Sequence, residues 1–161
     1  MVQRIPYDRE WRFPGNMEGE DAMAMNFNDW NEQNIREFRA SGGKLGGSFE
    51  GAPVLLLHTF GRKTGAERVN PLMYLPIEDR LFVFASKAGA PEDPDWYLNL
   101  LAHPEIPVEI GAETKMCEGR EVTGSERDRI YAEQAERYPQ FAEYQSKTER
   151  KIPVIELVPQ G

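Results

Sequence analysis

The chain has 161 residues, 40% of them hydrophobic and 29% charged, with 19 basic against 27 acidic side chains and a net charge of −8. That length suits one domain with one core, and the acidic balance disfavours nucleic-acid binding because phosphates would be repelled. Cys117 is the only cysteine, which excludes an internal disulfide and a four-cysteine zinc site.

No apolar run approaches a membrane span, although a peripheral membrane contact is compatible with that. Arg4, Asp8, Arg9 and Glu10 interrupt any signal-peptide core. A reducing cytoplasm is the expected compartment. Residues 1–26 mix Pro, Gly, Met and charge without periodicity and read as a mobile or extended arm, one able to fold over a site. Residues 27–161 read as a single domain.

Asn28 or Asp29 can cap a helix running to about residue 40, with Trp30, Asn34, Ile35 and Phe38 near one face, and Ser41-Gly42-Gly43 stops it. The glycine-rich stretch to Gly51 is a loop. Residues 53–59 (PVLLLHT) form a buried strand, and residues 67–76 form another after a glycine-bounded turn. Residues 81–85 (LFVFA) are apolar on both alternating faces, as a strand covered on both sides should be. Residues 94–102 read as a helix with Pro94 in its first turn. Ile106, Val108 and Ile110 alternate with Pro107 and Glu109 in a strand with one wet face, and residues 115–122 are its hairpin partner. Ser125 and Asp128 have capping-box spacing for a helix to about Arg137. An aromatic segment, residues 138–144, leads to a last strand at residues 154–158. Six short strands, mostly adjacent in sequence, with few crossover helices favour an α+β chain built on an antiparallel barrel.

Standard catalytic signatures are missing. Gly42 and Gly47 have phosphate-loop spacing, but Ser48 stands where lysine should follow. There is no G-x-G-x-x-G after a strand and no G-x-S-x-G elbow. His58, inside an apolar strand, reads as structural, His103 as a helix end, and Cys117 as a half-buried small side chain. A chain without a metal cluster, triad or carboxylate dyad borrows its chemistry from a cofactor. The best candidate to hold one is Gly61-Arg62-Lys63-Thr64-Gly65, followed by Arg68. Its glycines permit a tight turn whose N–H groups can converge on an anion, while Arg62, Lys63 and Thr64 add charge and a hydroxyl. A merely charged hairpin tip fits the same residues.

Four blocks in order carry a resemblance: Gly61–Gly65, then Arg68-Val69-Asn70-Pro71-Leu72, then Ala85-Ser86-Lys87-Ala88-Gly89, then Pro94-Asp95-Trp96-Tyr97-Leu98-Asn99-Leu100. Together they resemble the deazaflavin-dependent nitroreductase family, split β-barrel proteins of flavin-reductase-like fold that use coenzyme F-420, and the likeness extends from about Lys44 to Pro159. It implies a basic groove for the coenzyme's phosphodiester and polyglutamate tail, at Arg62, Lys63, Thr64, Arg68 and Lys87. It implies that Val69, Asn70, Pro71 and Leu72 lie beside the deazaflavin ring, with Phe84, Ala85, Ser86, Asp95, Trp96 and Asn99 around it. Ordinary core packing is the rival reading for Trp96.

The acceptor side is implied at Tyr138, Phe141 and Tyr144. Phe141 stands where relatives can carry a tyrosine, so it brings no hydroxyl. Ser86 is a candidate to anchor an acceptor oxygen, and a strand-end serine satisfying backbone groups fits the same residue. The expected activity is hydride transfer from reduced F-420 to a small activated acceptor, an enone or quinone-like ring, with nitro compounds incidental. Two rivals keep the barrel: a flavin mononucleotide oxidoreductase, and a non-enzymatic carrier of the coenzyme.

Overall fold

Residues 54–57 are apolar without alternation because both faces of their strand are covered: one faces a barrel interior and the other meets a helix. The computed structural model describes residues 27–46, 49 and 51–160; the arm expected at residues 1–26 lies outside them. Its strands are β1 (Val54–Phe60), β2 (Glu67–Ile77), β3 (Arg80–Phe84), β4 (Glu105–Ile110), β5 (Glu113–Val122) and β6 (Val154–Pro159). They close into a barrel in the order β1-β2-β3-β6-β5-β4, with every neighbouring pair antiparallel. The helices are α1 (Phe27–Ser41), α2 (Asp95–Ala102), α3 (Gly124–Arg137) and α4 (Gln140–Ser146), with a 3-10 turn at Lys87–Gly89.

The core is continuous. Leu55, Leu56, Leu57, Phe82, Val83, Ile106, Val108, Ile155 and Leu157 are fully buried. At about 1.5–3 kcal/mol for each large apolar side chain, this burial is the main force that holds the barrel shut. β4 shows the expected wet face, with Ile106 and Val108 inward. Cys117 lies opposite Ile106 and is fully buried rather than half-buried, which pushes its thiol pKa up.

β2 changes partners along its length. Residues 67–73 pair with β1 and residues 74–77 with β3. Among the described residues each half therefore lacks a ladder neighbour on one side, which is how an eleven-residue strand accommodates Pro71 and Pro76, residues that cannot donate to a ladder. The unpaired side of residues 67–73 is a split in the barrel wall.

α1 buries Trp30 and Phe38, with Asn34 and Ile35 half-buried. It begins at Phe27, so Asn28 and Asp29 lie within the helix and its cap falls outside the described residues. Its end is fixed tightly. The Gly43 N–H donates to the Phe38 carbonyl (2.8 Å), and a Cβ at Gly43 would sit 2.7 Å from the Gly111 Cα. Only glycine permits that approach to the β4–β5 turn.

His58 reinforces the same corner. Its Nδ1 lies 2.7 Å from Glu67 and its Nε2 lies 2.6 Å from Glu109, which also accepts two bonds from Arg39 of α1. The hydrogen bond from Arg39 is the largest influence holding the Glu109 pKa below its ordinary value. His58 is thus structural, tying β1, β2, β4 and α1 together.

Two expectations need correction. α3 opens at Gly124 behind an extended Thr123, with no side-chain cap, so Ser125 and Asp128 form no capping box. The Asp128 carboxylate is taken instead by Lys151 (3.0 Å) and Arg127 (3.2 Å). Pro94 precedes α2 in extended conformation rather than entering its first turn.

Candidate functional site

The Gly61–Gly65 segment is a closed local turn. Gly65 donates to the Gly61 carbonyl (2.8 Å), Gly61 donates to the Ala66 carbonyl (2.8 Å), and Thr64 Oγ1 accepts from the Ala66 N–H (3.2 Å). Gly65 has φ +76°, a left-handed value that glycine adopts without strain.

The turn is anchored to α2 through Arg62. Asn99 Oδ1 accepts both the Arg62 backbone N–H (3.1 Å) and an Nη1–H (2.8 Å), while Asp95 accepts from Nη2 (3.4 Å). Asn99 is 3% exposed, and its Oδ1 takes both of these bonds out of solvent. Lys63 and Arg68 are exposed and carry no ion pair among the described residues. Lys87 is paired with Glu92 at 3.1 Å. The four cations implied for the coenzyme tail therefore divide into one anchoring guanidinium, one cation shared with a carboxylate and two available cations.

Asn70 is half-buried, whereas Pro71 and Leu72 are buried; all three lie on the split half of β2, as does the half-buried Val69. Across the split, β3 ends at Phe84, and Ala85 and Ser86 are fully buried. Lys87 (φ 47°), Ala88 (φ 53°) and Gly89 (φ 83°) then follow in left-handed conformation. Trp96, the first buried residue of α2, is 5% exposed, and its indole N–H has no hydrogen-bond partner among the described residues. A buried donor without a partner is rare enough to require an explanation.

The aromatic trio occupies α4 and the residues before it. Phe141 is 1% exposed and lies against Phe84 (5.7 Å between ring centroids), Tyr144 (5.2 Å) and Tyr131 (6.4 Å). Tyr144 is buried and Tyr138 half-buried. Tyr131, which sequence reasoning did not single out, donates its hydroxyl to the Phe141 carbonyl at 2.6 Å, and burial pushes its pKa up so that it remains a donor. The two candidate regions meet at Gly89, where a Cβ would lie 2.7 Å from the Tyr144 carbonyl oxygen.

Comparison with known proteins identifies the group to which this barrel belongs. The family model described as F420H2-dependent quinone reductase matches residues 30–159, nearly the whole described region. The chain belongs to that family. It is 35% identical over 127 residues to the F420H2-dependent quinone reductase Rv1261c of Mycobacterium tuberculosis, covering 74% of this chain and 83% of that protein. A solved F420-H2-dependent reductase, FDR-A, superposes with a TM-score of 0.60 at 39% identity, covering 65% of this chain and 93% of the other. A second solved structure, a domain-swapped dimer, gives a TM-score of 0.62 at 36% identity, over 82% and 99% of the two chains. The F420H2-dependent quinone reductase family agrees with the antiparallel barrel expected from the residues and with the split barrel implied by the resemblance. Among the described residues no helix is long and apolar enough to cross a membrane.

Proposed function

We propose that this member of the family binds coenzyme F-420 across the split in its barrel and reduces a small quinone-like acceptor. The carrying observation is the pair of available cations, Lys63 and Arg68, beside the unpaired edge of β2. The residues suit the group: an anionic tail needs cations that are not already neutralised, and Trp96, next in the chain to the Asp95 that accepts from Arg62, carries a buried indole N–H with no partner among the described residues. When bound in reduced form, the coenzyme supplies the hydride.

In this reading Lys63, Thr64 and Arg68 hold the tail, with Arg62 fixing the turn through Asn99 and Asp95. Val69, Asn70, Pro71 and Leu72 border the ring from β2, and Ala85, Ser86 and Lys87 border it from the far side of the split. Phe84 and Trp96 supply apolar walls that exclude water, which sharpens every electrostatic contact inside. Tyr138, Phe141 and Tyr144 bound the acceptor. Phe141, lacking a hydroxyl, packs and does not donate a proton. The setting is the cytoplasm, with no nucleic acid involved; enones and nitro compounds are secondary acceptors.

The test is a titration of the protein with F-420 and with flavin mononucleotide at moderate salt, followed by acceptor-dependent oxidation of the reduced coenzyme using menadione. Much tighter binding of F-420, weakening as salt screens the exposed cations, together with menadione turnover, is the expected result. Equal affinity for the two coenzymes would defeat the assignment of the basic turn. Tight F-420 binding without turnover of any quinone, enone or nitro acceptor would favour a carrier.

A further inference from the structure

Arg150 lies in the link between α4 and β6, outside every motif described above, yet it makes the densest set of long-range bonds near the split. Its Nε donates to the Ala90 carbonyl (2.9 Å) and Nη2 to the Ser86 carbonyl (2.8 Å). Nη1 donates to the Ala85 carbonyl (3.2 Å) and to Asp93 Oδ1 (2.8 Å). The side chain is 15% exposed, and burial is the leading influence lowering its pKa, against Asp93 and Glu92, which raise it. Guanidinium remains charged in proteins, so the fold holds a desolvated cation directly beneath residues 85–90.

What this cation does follows from the backbone above it. Phe84 is the last residue paired with β6, and the Ala85 N–H then donates to the carbonyl of Pro153 just before that strand (3.0 Å). Beyond Ala85 the carbonyls of Ser86 and Lys87 accept the single-turn bonds from Gly89 (2.9 Å) and Ala90 (3.0 Å), and Arg150 adds a bond at Ser86. Lys87 and Ala88 are not glycines, yet both are left-handed. Two successive side-chain-bearing residues in that region persist only when their surroundings over-determine them. A planar fork whose donors take the carbonyls at 85, 86 and 90 holds both ends of this turn at once, and Asp93 fixes the fork. Lysine, a single point charge, cannot span those three carbonyls.

We infer that Arg150 is a positioning residue for the coenzyme: from beneath, it sets the left-handed turn that presents Ser86 and Lys87 to the split, while touching neither coenzyme nor acceptor itself. This rests on the reading of the split as the coenzyme site.

The test is a double-mutant cycle on F-420 affinity using Arg150→Lys and Lys87→Ala, with melting temperature and acceptor KM measured alongside. Arg150→Lys is expected to raise the coenzyme Kd roughly tenfold in the folded protein while leaving the menadione KM within about twofold. Its effect should shrink when Lys87 is already Ala, because residues acting through one another are non-additive. An Arg150→Lys Kd within about twofold of wild type, or strict additivity with only a lower melting temperature, overturns the positioning role. If Arg150→Lys does not fold, Asp93→Asn decides: a weaker Kd at near-native melting temperature supports the role, and an unchanged Kd overturns it. Wild-type protein that binds no F-420 faults the functional reading itself.

Discussion

Two backbone segments border the split, and they are built in opposite ways. The Gly61–Gly65 turn closes on itself with hydrogen bonds between near neighbours and leaves Lys63 exposed. The Ser86–Gly89 turn is largely buried, the carbonyls of Ser86 and of the flanking Ala85 and Ala90 held by Arg150 from sixty or more residues away and its Gly89 pressed against α4. The first closes locally, is anchored to α2 through Arg62, and keeps Lys63 and Arg68 free for a ligand. The second has its shape imposed by tertiary contacts, so that changes in the core behind it should reach the site. Binding chemistry can be altered at the first without disturbing the fold; at the second the two are coupled.

The comparison is tested hardest at Phe141. Phe141→Ala removes a fully buried ring from contact with Phe84, Tyr131 and Tyr144 and should cost about 3–5 kcal/mol of stability. Below the lowered melting temperature, KM for bulky acceptors should rise, and by more than the Kd for F-420. A large loss of stability with unchanged acceptor kinetics would assign Phe141 to the core alone.

Next comes the pair of glycines, one in each segment. Gly89→Ala combines a left-handed backbone (φ 83°) with a 2.7 Å approach to the Tyr144 carbonyl oxygen and should destabilise by upward of about 2 kcal/mol. Gly65→Ala has the same kind of backbone (φ 76°) but open space around its Cβ, so strain alone should cost about 1 kcal/mol. Chemical denaturation of both variants checks this; equal losses would erase the contrast between the two segments.

Lys63→Ala should act on binding alone. Losing a charge-assisted contact weakens F-420 by about 1–2 kcal/mol, roughly five- to thirtyfold in Kd, with the melting temperature of the coenzyme-free protein unmoved. An unchanged Kd would return the turn to a charged hairpin tip.

The smallest effect concerns acid stability away from the split. Glu109 has its pKa lowered in the folded protein, first by the hydrogen bond from Arg39 and also by His58. A carboxylate with a depressed folded pKa contributes stability that is present above its unfolded pKa, about 4.3–4.5. That contribution is lost as pH falls through the folded value. Glu109→Gln should therefore flatten the acid limb of the stability profile while leaving F-420 binding at neutral pH alone. Melting curves from neutral pH down to about pH 3, spanning the carboxylate range, supply the check; an acid limb as steep as wild type would remove Glu109 from the account.

Much of the architecture was legible before any coordinates. Alternation at Ile106, Val108 and Ile110, the unbroken run at residues 54–57 and the glycines at 42, 43, 61 and 65 are local statements, and local chemistry decides strands and turns. The basic turn was legible for the same reason. The Ser125–Asp128 cap was misread because Asp128 met Lys151, a partner far along the chain. Nothing near Arg150 in sequence marks it, since its carbonyl partners lie sixty residues back. Arg62 read as a ligand cation, although much of its fork is committed to Asn99 and Asp95.

By itself the sequence determined the periodicities, the turn glycines and the cations of residues 62–68, because each depends on neighbours within a few residues. Only the tertiary structure decided which of those cations stay available, that β6 enters between β3 and β5, and that a buried guanidinium shapes the turn beneath the split. Those outcomes depend on which distant groups arrive within hydrogen-bonding distance, and barrel closure is what brings them there.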